Sequence, residues 1–209
     1  MIKNKCIVFH LLCFVFINLY LTSCYYFQPS KPKIAIQPFH GTSEEVVFIV
    51  TETLQNYYAA DIEILPEIQL PRSCYYSPRD RYRADKLIKF LKDNKPEGFD
   101  KIIGVTNRDI STSTDQYADF GIMGLGYLGG NSCVISDFRL KKNLKSRSQL
   151  RERIAKNALH EIGHTLGLSH CESSESCFMQ DAKGTITTID KESMSLCKVC
   201  KSKLRISQN

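Results

Sequence analysis

The sequence runs to 209 residues, with 43% hydrophobic and 24% charged residues and a formal net charge of +6. This is the composition of an ordinary globular protein and excludes disordered, collagenous and many-spanning membrane chains. The length suits one domain, or one domain in two lobes, that buries a core unaided; the modest charge, two units of it from Lys3 and Lys5, does not call for nucleic acid as a partner.

Lys3 and Lys5 precede an apolar stretch from Ile7 to Leu21, broken by His10 and Asn18. That is the order of a secretory signal, too short and too polar for a comfortable membrane span. It ends in Leu21-Thr22-Ser23-Cys24, which resembles the bacterial lipobox and implies cleavage before Cys24 and lipid on its sulfur. An ordinary cleaved signal or an uncleaved anchor is the alternative. The expected organisation is a signal peptide over 1–23, a lipidated tether over 24–33 with Pro29 and Pro32, and a folded domain over 34–209. The expected location is the cell envelope, exported from the cytoplasm and held at the membrane by the lipid.

Lys33 to Phe39 reads as a strand, followed by a helix from about Ser43 to Ala60 with Ser43 as cap and Glu44 and Glu45 in its first turn. Ile62 to Leu70 resembles a second strand despite Pro66. Leu87, Ile88 and Leu91 fall at helical spacing within Arg83 to Asp93, and Lys101 to Thr106 is an apolar run suited to a buried strand. This alternation predicts an α+β protein, α/β-like in its first part, with parallel pairing in a mixed twisted sheet and helices packed on it.

Five glycines between Gly121 and Gly130 (Gly121, Gly124, Gly126, Gly129 and Gly130) predict a loop, read as mobile or as plain turn geometry, beside an edge strand from Cys133 to Leu140. Ser148 is placed as the cap of a helix reaching about Leu168. The basic stretch from Arg139 to Lys156 is read as a solvated face, with contact to anionic lipid as the alternative.

That last helix contains His160-Glu161-Ile162-Gly163-His164. Four residues advance a helix by about 400°, so both imidazoles leave one face and can share a tetrahedral metal. Gly167 can adopt a left-handed conformation that ends the helix and turns the chain back, which makes His170 a third ligand. Three neutral imidazoles leave zinc with an open position, the arrangement that acidifies water to a pKa of about 7. Glu161, beside the first ligand, is the candidate general base.

Cys171 follows directly, then Cys177, Met179 and a distant Cys197-Lys198-Val199-Cys200. The whole pattern, His-Glu-x-x-His-x-x-Gly-x-x-His-Cys with Cys-x-Met and Cys-x-x-Cys, resembles the archaemetzincin family of zinc metalloproteases. The resemblance implies a metzincin fold with an upper lobe (34–168), a lower lobe (169–209) and a cleft between them. It also implies catalytic zinc on His160, His164 and His170, structural zinc on Cys171, Cys177, Cys197 and Cys200, and Met179 as the apolar Met-turn beneath the site. Five residues separate Cys171 from Cys177 where the family has four. The motif match covers 160–200; weaker similarity includes Ile103 to Thr106 and Val134 to Leu140, and residues 31–100 match only in element order.

Four thiolates are a zinc ligand set in their own right, and Lys198, Lys201, Lys203 and Arg205 would offset their charge; disulfide formation in an oxidising compartment is the alternative. Cys74 and Cys133 fall outside the set, as a disulfide or as small buried side chains. The expected function is a zinc-dependent peptidase with two zinc ions per chain, acting on a peptide or protein through activated water and Glu161, with the Cys133 to Arg139 strand aligning the substrate. A non-catalytic zinc-stabilised envelope binding lipoprotein and a zinc amidase for a small non-peptide substrate are the alternatives.

Overall fold

Alternate residues of the central strands enter opposite cores. Ile34, Ile36, Ile103, Val105, Cys133 and Ile135 belong to one, and Ala35, Ile102 and Val134 to the other. Strand side chains alternate with period two, so a sheet built from such strands must be covered on both faces. A computed structural model describes residues 31–204 and shows that sheet.

Its strands are β1 (Lys33–Pro38), β2 (Asp61–Ile64), β5 (Lys101–Thr106), β8 (Gly124–Gly126) and β9 (Ser132–Ser136), in the order β2-β1-β5-β9-β8. All neighbouring pairs are parallel except β8, which runs antiparallel to β9 along the edge. A second, smaller sheet joins β3 (Tyr75–Tyr76), β4 (Arg81–Arg83), β6 (Ile110–Thr112) and β7 (Phe120–Ile122). Asp109, just before β6, ties it to the segment after β9, taking ion pairs from Arg81 and Arg139 at 2.7 Å each.

Helices α1 (Glu44–Tyr58) and α3 (Arg147–Thr165) cover one face of the main sheet, and α2 (Ala84–Asp93) covers the other. Ser43 caps α1 by accepting from the Val46 amide, as its sequence position predicts. The α1 core residues Val46, Val50 and Leu54 recur on one face. At the end of α1 the Tyr58 hydroxyl donates to the Leu159 carbonyl of α3 at 2.8 Å, which ties the covering helix to the metal-motif helix. After Leu168 the described chain holds only turns and two short helices, α4 (Ile186–Lys191) and α5 (Lys198–Leu204).

Several expectations change. The second strand stops at Ile64, just before the Leu65-Pro66 step, because proline brings no ladder donor. Helix α3 is capped by Ser146, whose extended backbone lets its hydroxyl accept from the Gln149 amide at 3.1 Å, and Ser148 lies inside the helix. The helix ends at Thr165 rather than near Leu168.

The glycine-rich segment is not a free loop. It supplies β7 and the edge strand β8. The strand from Cys133 is consequently interior, paired with β5 on one side and β8 on the other, and every residue of β9 is buried. Nor is the basic stretch wholly a solvated face. Arg153 and Lys156 are buried; Arg153 is held by Asp190 at 2.7 Å and the Leu140 carbonyl at 2.7 Å. Cys74 and Cys133 sit in different cores as free thiols, which removes the disulfide reading. The segment 1–23 expected to be a signal, Cys24 and the expected tether up to residue 30, and Arg205 lie outside the described residues. No helix among the described residues is long and apolar enough to cross a membrane.

Candidate active site

Helix α3 carries His160 and His164 one turn apart, and their Nε2 atoms lie 3.0 Å from each other. Each ring is fixed from behind. His160 Nδ1 donates to the Phe178 carbonyl at 2.7 Å, and His164 Nδ1 donates to the Leu168 carbonyl at 2.7 Å. A proton on each Nδ1 leaves a lone pair on each Nε2, so the short contact sets two acceptors against each other unless a cation sits between them. Burial, with His164 adding to it, pushes the His160 pKa down to about 3, and burial lowers that of His164. Both rings are therefore neutral near pH 7, as metal ligands must be.

The third imidazole arrives as the sequence predicts. Gly167 has φ +93°, a left-handed value that ends the helix, and its amide donates to the His164 carbonyl at 2.9 Å. The chain turns back and brings His170 Nδ1 to 4.0 Å from Asp181 Oδ2. Ligand atoms of His160, His164 and His170 all lie within 4.8 Å of one another. Three converging nitrogens, two of them on rings whose other nitrogen is held by a main-chain carbonyl, fit a zinc ion with open coordination positions.

Glu161 lines the same cleft. Its side chain is buried and lies over Gly124 and Gly126 of β8, where a β-carbon at Gly126 would approach the Glu161 carbonyl to 2.7 Å. Burial pushes its carboxyl pKa well above the usual range. A nearby dication would act in the opposite sense and favour the carboxylate. Beneath the histidines, Met179 is fully buried, its sulfur packed against Gly163 of the helix.

A cleft of about 520 Å³ opens between β8 and the segment that follows the third histidine; His160, Glu161, His164 and His170 all face it. Sequence reasoning missed the groups that hold its walls. Asn157 Nδ2 donates to the Met123 carbonyl at 2.9 Å and pins the start of β8 to α3. Lys101 Nζ donates to the Thr165 and Gly130 carbonyls at 2.7 Å each, satisfying the carbonyl end of α3. The i−4 relation of Asn157 to Glu161 is a signal the helix pattern contained; Lys101, on a distant strand, left none.

The four motif cysteines also converge, with Sγ atoms of Cys171, Cys177, Cys197 and Cys200 within 4.8 Å of one another. Cys171 and Cys197 sulfurs are 3.6 Å apart, too far for a disulfide bond and suited to a shared metal. Burial raises the Cys197 thiol, but hydrogen bonds led by the Cys200 amide outweigh it and bring the pKa to about 7. Burial raises Cys177 and Cys200. The loop with the extra residue is closed by Gln180, whose side-chain amide donates to the Ser174 carbonyl at 2.7 Å.

A cleft along the antiparallel edge strand, a helix presenting two histidines to it, and a third histidine after a glycine turn define a zinc metallopeptidase. The sequence profile of Peptidase family M54 matches residues 35–206. The chain belongs to that family, and its relatives are the archaemetzincins. Archaemetzincin from Archaeoglobus fulgidus is 33% identical over 174 residues, covering 83% of this chain and 99% of the relative. That from Haloquadratum walsbyi is 32% identical, covering 80% and 96%. The crystal structure of the Archaeoglobus fulgidus protein complexed with malonate superposes with a TM-score of 0.69 at 30% identity, covering 82% of this chain and 99% of that one. The Methanopyrus kandleri structure, at 24% identity, shares the fold with a TM-score of 0.72 and covers 85% and 96%.

Proposed function

We propose that this zinc-dependent peptidase works with Glu161 as general base and with two zinc ions per chain, one on His160, His164 and His170 and one on Cys171, Cys177, Cys197 and Cys200. The observation that carries the reading is the meeting of three imidazoles and one buried carboxyl at a single cleft. Zinc, when bound to the histidines, supplies the Lewis acidity that makes water nucleophilic and polarises the scissile carbonyl.

Glu161 takes the proton of the attacking water on its carboxylate and delivers it to the leaving amine nitrogen. Phe178 and Leu168 carbonyls hold the rings of His160 and His164 so that Nε2 faces the cleft. The edge of β8 away from β9 offers Gly124 and Gly126 main-chain groups to an extended substrate, by strand addition. This moves the aligning role from the Cys133 strand, which is paired on both sides, to its neighbour.

Replacing Glu161 by Gln, with zinc content measured alongside, tests the reading. The expected result is retained zinc with turnover reduced by about 10²-fold or more. Undiminished turnover would remove Glu161 as the base.

For location, the reading is an envelope lipoprotein anchored through Cys24, supported by the Leu21-Thr22-Ser23-Cys24 sequence behind a charged and then apolar segment. Mass spectrometry of the membrane fraction should find lipid on an amino-terminal Cys24, and an unlipidated terminus there would overturn it.

A further inference from the structure

Glu192 lines the cleft and is 5% exposed, yet its Oε1 is buried without a hydrogen-bond partner. A buried carboxyl oxygen left without a donor is costly, and a donor brought by a ligand would relieve that cost. Lys156, the neighbouring cation, turns two of its three donors elsewhere, to the Ile189 carbonyl at 2.9 Å and to Glu152 at 2.6 Å, and makes no ion pair with Glu192. Lys156 pulls the Glu192 pKa partly back, but burial dominates and raises it to about 8. A bound cation would return the group to carboxylate.

The position of this group relates it to the chemistry. Lys156 and Asn157 precede His160 and Glu161 by one helical turn on α3, and all four line the cleft. Four residues of helix span about 6 Å. A pocket at that distance receives the side chain of a residue next to the scissile bond. Its walls are mixed: Ile189 and Met123 are apolar, and Glu192 supplies the acidic end. An apolar wall ending in an unpaired carboxyl complements a side chain with an aliphatic stem and a cationic head.

We infer that Glu192 is a specificity-determining residue, and that the cleft selects arginine or lysine beside the scissile bond. The inference rests on the peptidase reading above.

The test uses the zinc-loaded Glu161→Gln protein, which keeps peptides intact, and octapeptides with arginine moved through the four central positions. Each is matched by an isosteric peptide with neutral citrulline, and binding is read by titration calorimetry. At one position the arginine peptide should bind about tenfold tighter or better, the range of a hydrogen bond between charged groups. Adding Glu192→Gln should bring that ratio to within about twofold. Equal affinity for arginine and citrulline at every position, or a preference that survives Glu192→Gln, would each overturn the inference. The arginine-to-citrulline comparison needs no change at Glu192, so it decides even if that variant fails to fold. Cleavage by the unaltered protein without any arginine preference leaves the peptidase reading standing and removes this one. Arginine preference without cleavage of any peptide keeps Glu192 as the cation-selecting group and removes the peptidase reading, and with it the placement beside a scissile bond.

Discussion

Gly163 and Met179 are in contact so close that a β-carbon on Gly163 would lie 2.6 Å from the methionine sulfur. The glycine sits in the last turn of α3, between the two histidines, where helix propensity alone would favour alanine by up to about 1 kcal/mol. Overpacking works against that gain, at about 1–3 kcal/mol, and both partners are buried with little room to yield. Gly163→Ala should therefore lower the stability of the protein in denaturant titration. An unchanged or higher midpoint would mean that Met179 is free to move.

Gly124 faces the Glu161 carboxylate in the same way. Gly124→Ala would put a methyl group where that carboxylate now lies. Displacing a catalytic group by about 1 Å can cost about 10² in rate. Turnover should fall by that order while zinc content, which depends on the imidazoles, stays the same. Parallel loss of zinc would show instead that the edge strand supports the ligands.

The first cysteine pair and the histidines share one stretch of chain. Cys171 follows His170, its amide donates to the Met179 carbonyl at 2.7 Å, and Phe178 carries the carbonyl that holds His160. Changing Cys197 to Ser should abolish zinc at the thiolates. By loosening this support it should also weaken zinc at the histidines by about tenfold, the usual lower range for outer-shell disruption. Competition titration with a chromogenic chelator measures both affinities.

Glu192 holds its proton more tightly in the folded protein, to about pH 8 against an ordinary 4.5. Between those values the native state binds a proton that the unfolded state has released. The contribution is thus full at acid pH and is lost as pH rises towards 8. Compared with Glu192→Gln, the unaltered protein should lose thermal stability between about pH 4.5 and pH 8. Identical pH profiles would contradict the shift.

The metal motifs were legible because their geometry is local. His160 and His164 are related by one turn, and Gly167 supplies a left-handed residue at the one place the chain must reverse. Strands β1 and β5 announced themselves by apolar runs between polar ends. The glycine segment misled because glycine usually marks loops, whereas here Gly124 and Gly126 are absent side chains that make room for Glu161. That reason lies across the sheet and has no trace in the local pattern. Arg153 and Lys156 likewise read as surface charge, since their partners Asp190 and the Ile189 carbonyl lie more than thirty residues away. Glu192 has no motif at all; its environment exists only in the folded chain.

Anomalous diffraction at the zinc edge, on crystals of the full folded domain saturated with zinc, tests the whole reading most directly. One peak should lie about 2.0–2.1 Å from an Nε2 or Nδ1 atom of each of His160, His164 and His170, with Glu161 outside bonding distance. A second should lie about 2.3 Å from the four cysteine sulfurs. Absence of zinc between the three imidazoles, or a Glu161 carboxylate bound to the ion as a permanent ligand, would contradict it.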